Sequence, residues 1–136
     1  MSLSKEFEFY RGKLVIDDTN INKELGEYSS YYFSVLQIAN SCEENYDKTE
    51  ALTDAAVREA AKVAEEKITE KVVESRVKQD TAFQKADQER NTARALKDAY
   101  KSKGNMLIQM ATNMREEMKN LNHGVHADTT SYAQYL

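Results

Sequence analysis

The fold is decided by residues 21–60, which read INKELGEYSSYYFSVLQIANSCEENYDKTEALTDAAVREA. Apolar and small side chains recur here at every seventh position, and a second row follows four residues behind the first. This spacing is typical of an α-helix that buries one face along its whole length. Both rows continue through the polar segment 41–48, so the pattern predicts one long helix, with a break near Ser41–Asn45 as the alternative. The first row is Ile21, Tyr28, Val35, Cys42, Thr49, Ala56 and Val63, and the second is Leu25, Tyr32, Ala39, Tyr46, Thr53 and Ala60.

The helical period continues on the C-terminal side of this stretch and predicts a second helix. We expect the first helix to span about residues 19–78 and the second about 81–120, because Asp80 and Thr81 can cap a helix after the turn at 78–81. Two such helices form an all-α, coiled-coil-like antiparallel hairpin. Arg90 and Lys97 stand at positions of the second helix that should be apolar. Its regular apolar row is Ala86, Ala93, Tyr100, Leu107, Met114 and Leu121.

The two ends of the chain lack this helical period. Residues 1–18 contain the β-prone run Leu14-Val15-Ile16, so we expect a short extended N-terminal arm that forms an edge strand or docks on a neighbouring chain. Residues 121–136 contain Gly, Asn, Ser and Thr without a period. This composition predicts a flexible C-terminal tail.

The composition excludes several classes of protein. The 136 residues include no Pro, four Gly and one Cys, which is too few turn-forming residues for an all-β fold. One Cys excludes an internal disulfide and a cysteine-based zinc site. No apolar run reaches the roughly 18 residues of a membrane span, and the start of the chain lacks the apolar core of a signal peptide. We therefore expect a cytoplasmic protein that does not enter a membrane.

No residue pattern typical of catalysis or cofactor binding occurs in the sequence. A glycine-rich phosphate loop and a helical metal-binding motif are both missing, and the two histidines, His123 and His126, fall in the predicted tail. Cys42 stands in the apolar row and is interpreted as a small buried residue. An acidic cluster at Glu65, Glu66 and Glu70 interleaves with lysines at helical spacing, which indicates stabilising ion pairs. We expect a protein that is not an enzyme and has no cofactor or metal.

The net charge of −4 is unevenly distributed. Residues 1–70 carry 8 basic and 15 acidic side chains, whereas residues 71–103 carry 9 basic and 5 acidic ones. The second segment predicts a partner that is a polyanion, and a solvated face of a charged helix is the alternative. Few aromatic residues interleave with these cations, which favours contact with a phosphate backbone over base stacking. The candidate nucleic-acid-binding residues are Lys71, Arg76, Lys78, Lys85, Arg90, Arg94, Lys97, Lys101 and Lys103, of which the first four flank the predicted apex.

The predicted first helix is longer than the second, and its excess is about residues 20–40. Tyr31, Tyr32 and Phe33 are consecutive there, so they point to three sides of a helix. A helix that is apolar on several sides packs against more than one neighbour, which a two-helix hairpin does not supply. The pattern therefore predicts a homo-oligomer. Its candidate interface residues are Ile21, Leu25, Tyr28, Tyr31, Tyr32, Phe33, Val35 and Leu36.

Three segments resemble the UvsY-type recombination mediators of tailed phages. Ile16-Asp17-Asp18-Thr19, which opens the long helix, is similar to the family's hydrophobic–Ile–Asp–x–Thr opening. Lys101-Ser102-Lys103-Gly104 is similar to the family's Lys-Ser-Arg-Gly element, and residues 75–83 look like the hairpin apex of related phage proteins. The family's Lys-Ala-Arg-Leu-Asp stretch is matched in part, with Arg76 retained and Glu74 where the Lys would be. The resemblance covers about residues 14–118.

The resemblance implies a ring-forming helical protein that binds single-stranded DNA. Such a mediator helps a RecA-like recombinase displace a single-strand-binding protein in phage recombination and repair, and needs no cofactor. A phage-encoded member acts in the cytoplasm of the infected host cell. The alternative is a non-enzymatic phage structural or assembly protein built on a coiled-coil hairpin. The missing Trp disfavours a helical-hairpin secretion substrate, and the lack of a strand signal near residues 76–84 disfavours a prefoldin-like chaperone.

Overall fold

The structure, a computed structural model, describes residues 1–127, with side chains to residue 122. It consists of four α-helices, and residues 1–127 contain no β-strand, so the prediction of an all-α fold is confirmed. The helices are α1 (Leu3–Gly12), α2 (Ile21–Val63), α3 (Glu70–Gln79) and α4 (Thr81–Ala127). Their ends differ in several places from the predicted ones.

The chain forms an antiparallel hairpin in which α2 is one arm and α3 with α4 is the returning arm. Residues that follow one another along α2 meet residues of decreasing number on the returning arm, as antiparallel packing requires. At about 1.5 Å per residue, the 43 residues of α2 extend over about 65 Å. Contacts that establish this register join Glu24 with Lys103, Tyr28 with Tyr100, Tyr46 with Phe83, and Arg58 with Glu70.

The chain reverses direction at residues 64–69, so the predictions of a turn at 78–81 and of one helix over 19–78 are wrong. Glu65 has a φ of 53°, and the backbone N–H groups of Glu66 and Glu65 donate to the carbonyls of Ala61 and Lys62. These are the two hydrogen bonds of a Schellman motif, which ends helices with a left-handed residue, most often Gly. Here Glu occupies that position, so the sequence carries no Gly to indicate the end of α2. The alternative break near Ser41–Asn45 does not occur, because α2 is continuous there.

Asp80 interrupts the returning arm without reversing it. Its side chain caps α4 by accepting the Phe83 N–H at 3.0 Å, which agrees with the predicted capping role. Val77 and Phe83 are buried in the same cluster although they are six residues apart. In a continuous helix this spacing would place them about 120° apart. The single extended residue at 80 realigns the two buried faces.

The N-terminal arm is a helix, in contrast to the extended arm predicted for residues 1–18. Leu3, Phe7 and Tyr10 have helical spacing and pack on the core formed by α2 and α4. The Ser2 side chain caps the helix by accepting the Lys5 N–H. Residues 14–16 lie in the non-helical connection between α1 and α2, where Val15 is exposed. Within residues 1–127 there is no β-strand with which this β-prone run could pair.

The core has two clusters separated along the hairpin. The larger lies where α1 rests on α2 and α4, and the smaller lies near the reversal. Buried residues of the larger cluster are Phe7, Val35, Ala39, Cys42, Ala93, Leu96 and Tyr100, and those of the smaller are Val73, Val77 and Phe83.

α4 extends beyond the start of α2, so the returning arm is the longer one. Leu107 is fully buried, and every residue from 112 to 122 is exposed. We call residues 108–122 the overhang. The predicted helix end at 120 is wrong, because the helix continues to Ala127. The rest of the predicted tail, residues 128–136, lies outside the described residues.

Candidate nucleic-acid interface

The nine basic residues predicted to bind nucleic acid are spread along the returning arm, on α3 and α4. They do not form a rim around the apex, because the chain reverses at 64–69, N-terminal to all of them. The structure divides them into two groups. Four are engaged in contacts within the chain, and five have no ion pair to any of residues 1–122.

Arg94 joins the returning arm to α2, and Arg76 joins it to the reversal at 64–69. The Arg76 guanidinium donates two hydrogen bonds to the Glu66 carboxylate, and the Arg94 Nε donates to Glu43. These hydrogen bonds hold the pKa values of Glu66 and Glu43 below their usual range. Both arginines are partly neutralised by these carboxylates, so their positive potential at the surface is reduced.

Arg90 is placed against an aromatic ring. Its guanidinium lies 3.4 Å from the centroid of the Tyr46 ring, and its Nη2 donates to Asp87 at 3.0 Å. Its Nε is buried and has no hydrogen-bond partner in the described part of the chain. The cation–π contact and the Asp87 pair account for a charge at a position that the sequence pattern reserves for apolar residues.

Lys103 is enclosed by the fold. Its side chain is 5% exposed, its Nζ lies 2.9 Å from a Glu24 carboxylate oxygen, and the same ammonium donates to the Lys13 carbonyl. A buried ion pair with an additional hydrogen bond satisfies both charges. Lys103 therefore stabilises the base of the hairpin and does not present its charge to a ligand, which corrects its assignment as a nucleic-acid contact.

The remaining five lysines form the cationic surface that a ligand can reach. Lys71, Lys78 and Lys85 are exposed and follow one another at intervals of seven residues on α3 and the start of α4. We call these three the lysine row. Seven residues correspond to about 10 Å along a helix, so these lysines span about 20 Å of the returning arm. The extended residue at 80 turns Lys85 to a different side of the arm from Lys71 and Lys78. Lys97, which is half-buried, and Lys101, which is exposed, lie further along α4.

Arg58 is a prominent charged residue that sequence reasoning missed. It contacts Asp54 at 2.6 Å and Glu70 at 2.7 Å, and so connects α2 to the first turn of α3. These hydrogen bonds lower the pKa of Glu70 and raise that of Arg58. The sequence pattern instead predicts ion pairs of Glu66 and Glu70 with the neighbouring lysines. The pairing of Arg58 with Glu70 becomes visible only when the reversal at 64–69 is known.

Most of the residues predicted to form an oligomer interface are packed against other helices of the same chain. Ile21 and Val35 are buried, whereas Tyr28, Tyr31 and Tyr32 pack against the larger core cluster. Leu25 and Leu36 are half-buried, and Phe33 alone is well exposed, at 60%. α1 and α4 provide the neighbours that the aromatic stretch requires, because Tyr31 lies edge-on to Phe9 and Tyr10 of α1.

Two of the segments that carry the family resemblance meet at the base of the hairpin. Asp17 accepts hydrogen bonds from the Thr19 N–H and hydroxyl, and its own N–H faces the Glu24 carboxylate that pairs with Lys103. Both segments therefore belong to one polar cluster, although they are more than 80 residues apart in sequence.

Gly104, which follows Lys103, makes room for a second contact between the arms. The Tyr28 hydroxyl donates to the Tyr100 carbonyl at 2.7 Å, and a Cβ at position 104 would lie 2.2 Å from that hydroxyl oxygen. The two matched elements consequently contribute to the fold at this end.

The described residues contain little that resembles a catalytic centre. No group of three metal-ligating side chains occurs among them, and the positions of the His123 and His126 side chains lie outside what the structure describes. An open groove of about 610 Å³ lies between α1 and α4, where two cations, Arg11 and Lys85, are balanced by Glu8 and Glu89. Cys42 is buried, and burial raises the pKa of its thiol.

No helix within residues 1–127 combines the length and the apolar composition needed to cross a bilayer. Comparisons of the chain with protein-family models, with curated proteins and with solved structures find no match.

Proposed function

We propose that this chain is a recombination mediator that binds single-stranded DNA as a homo-oligomer and helps load a RecA-like recombinase in place of a single-strand-binding protein. The proposal combines the resemblance of residues 14–118 to UvsY-type mediators with the cationic returning arm. In this proposal the chain is not an enzyme and uses no cofactor. Its DNA-binding surface is the lysine row together with Lys97 and Lys101.

The lysine row is the observation that carries the proposal. Its three lysines are exposed, lie along the returning arm and have no ion pair with the side chains of residues 1–122. A row of point charges tracks a phosphate backbone and releases its counterions, which favours binding without strong sequence preference. One chain offers few such charges, so an assembly of several copies would bind far more tightly through avidity.

The test replaces the whole row, with Lys71→Ala, Lys78→Ala and Lys85→Ala in one chain. We expect weaker binding to a fluorescent single-stranded oligonucleotide, measured by anisotropy between 50 and 200 mM salt. Each lost phosphate contact lowers the salt slope by about 0.7, so the slope should fall by about 2.

The matched control removes three exposed lysines from the acidic arm, with Lys23→Ala, Lys48→Ala and Lys62→Ala. This chain has the same net charge as the first variant, so a general charge effect would weaken both equally. Binding that is unchanged in the first variant, or lowered alike in both, would contradict the placement of DNA on the lysine row. No binding by the unaltered chain would contradict the function itself.

Self-association is proposed to use the overhang, since the aromatic stretch of α2 is largely covered within the chain. Met114, Met118 and Leu121 are exposed on the overhang at helical spacing, and Ile108 is 63% exposed at its start. An apolar face that no other helix within residues 1–127 covers is a candidate protein–protein contact. Packing of this face between copies would bring several lysine rows together.

The same overhang favours a second candidate function, that of a non-enzymatic phage structural or assembly protein. An exposed helix with an apolar face is suited to connecting copies into a larger body. This candidate predicts assembly without oligonucleotide binding at any salt concentration. The anisotropy experiment therefore separates the two candidates.

A further inference from the structure

α1 lies in a groove between α2 and α4. Phe7 is its one buried residue, and Leu3 and Tyr10 are partly buried on either side. A helix of ten residues is too short to be stable by itself in water. Its helical state therefore depends on packing in the groove. This packing is centred on the Phe7 ring.

Two hydrogen bonds tether the C-terminal end of α1 to α4. The Tyr100 hydroxyl donates to the Tyr10 carbonyl at 2.7 Å, and the Lys103 ammonium donates to the Lys13 carbonyl. Carbonyls of the last turn have no partner within their own helix, so these side chains replace the missing donors. The N-terminal end of α1, near Leu3, packs on the groove through apolar contact.

The connection to α2 is long enough to let α1 leave the groove. Residues 13–20 separate the two helices, and eight extended residues reach about 26 Å, against about 10 Å between packed helices. α2 is capped by its own Asn20 side chain, which accepts the Lys23 N–H at 3.2 Å. The start of α2 therefore does not require α1 to be in place.

The floor of the groove is formed by small side chains. Ala39, Cys42 and Ala93 are buried in the same cluster as Phe7. Burial raises the pKa of the Cys42 thiol, and the charge of Glu6 on α1 contributes to this shift, which places the thiol near α1. Cys42 is the one cysteine of the 136 residues. Its thiol is therefore a unique reporter of whether the groove is covered.

We propose that this groove is a helix-docking site, that α1 occupies it reversibly, and that the same segment of a second copy can occupy it in place of the chain's own. The buried contacts and tethers described above join α1 to α2 and α4, which each copy possesses. Exchange between copies would therefore replace each contact by an identical one, as in domain swapping. This inference does not depend on the proposed function.

The first experiment measures the rate at which Cys42 in the full chain reacts with an aromatic disulfide reagent. Tyr100→Phe removes one tether while keeping the ring, and should raise the rate about fivefold, the factor that an average hydrogen bond represents. Phe7→Ala removes the buried anchor and should raise the rate more than tenfold. Equal rates in the unaltered chain and both variants would overturn the proposal.

Val73→Ala is the control for general loosening of the fold. Val73 is buried in the smaller cluster near the reversal, away from Cys42. The proposal predicts an unchanged thiol rate in this variant, with a lowered melting temperature. If Val73→Ala raised the rate as much as Phe7→Ala does, the thiol would report global unfolding and the proposal would be wrong.

The second experiment adds the α1 segment as a separate peptide. A synthetic peptide of residues 1–13 is added to the Phe7→Ala chain, and the thiol rate is followed as the peptide concentration rises. Docking in the groove should slow the reaction to a plateau, whereas the same peptide carrying Phe7→Ala should leave it unchanged. A rate unaffected by the first peptide, or slowed equally by both, would show that the groove does not accept α1 from a second copy.

Discussion

At the scale of single residues, Gly104 has a role that depends on a residue 76 positions earlier in the chain. The Tyr28 hydroxyl passes over position 104 to reach the Tyr100 carbonyl, and the Tyr28 ring stacks with those of Tyr32 and Tyr100. A side chain at 104 would displace the hydroxyl, because its Cβ would lie 2.6 Å from Tyr28 Cζ as well. Gly104 is therefore required by a contact between the arms and not by its own backbone conformation.

We predict that Gly104→Ala destabilises the protein by about 1–3 kcal/mol. Overpacking typically costs about 1–3 kcal/mol and loss of the Tyr28 hydrogen bond about 1 kcal/mol, against a gain of about 1 kcal/mol in helix propensity. Urea denaturation measures the change. The cost should shrink when Tyr28→Phe is already present, because the clashing hydroxyl is then gone.

Gly26→Ala is the matched control for this prediction. Gly26 also lies inside a helix, but a Cβ there meets nothing within 4 Å. It should raise the free energy of unfolding by about 0.5–1 kcal/mol, since only helix propensity changes. Stabilisation by both substitutions would contradict the role assigned to Gly104.

At the scale of elements, the predicted hairpin is present, but the chain reverses at residues 64–69 and not at the predicted 78–81. The sequence predicts the Asp80 cap correctly, because a capping side chain acts on residues close to it in sequence. Whether a capped position reverses the chain depends on which faces are buried on either side. The true reversal lacks Gly at the left-handed position, Glu65, so no local signal distinguished it from a continuous helix.

The overhang supports a prediction at this same scale. Met118→Glu with Leu121→Glu should shift the protein towards monomer in sedimentation velocity and leave the helix content unchanged, because both side chains are exposed in the single chain. A charge placed in an apolar contact must be desolvated, which opposes association.

Asn113→Glu provides the control for this change, since it adds an acid to the same exposed segment away from the apolar row. It should leave association unaltered. A monomeric unaltered chain at tens of micromolar, or equal association of all three proteins, would refute the role of the overhang.

At the scale of the whole molecule, three carboxylates connect α2 and the reversal to the returning arm, and each accepts hydrogen bonds from an arginine. These contacts lower the pKa of each carboxyl group, chiefly through the arginine hydrogen bond. A folded-state pKa below the unfolded value adds stability above the unfolded pKa, and this stability is lost as the pH falls through the folded pKa. The pairs are Glu43 with Arg94, Glu66 with Arg76, and Glu70 with Arg58.

We therefore predict that the melting temperature falls as the pH is lowered from about 5 to 3, below the ordinary glutamate pKa of about 4.3. Thermal unfolding followed by circular dichroism measures it. A chain with Arg58→Met, Arg76→Met and Arg94→Met should show a shallower dependence over the same range. An equal dependence in both chains would mean that other carboxylates dominate.

The sequence by itself determined that this protein is helical, that Asp80 caps a helix, and that cations concentrate in residues 71–103. These properties follow from spacing, local capping and charge, which act over a few residues. Only the tertiary structure decided where the chain reverses, that α1 fills the groove beside the aromatic stretch, and that Lys103 is enclosed while Lys71, Lys78 and Lys85 are exposed. These features depend on which apolar faces pack together between segments 60 to 90 residues apart in sequence. The spacing of residues within one segment does not determine that packing.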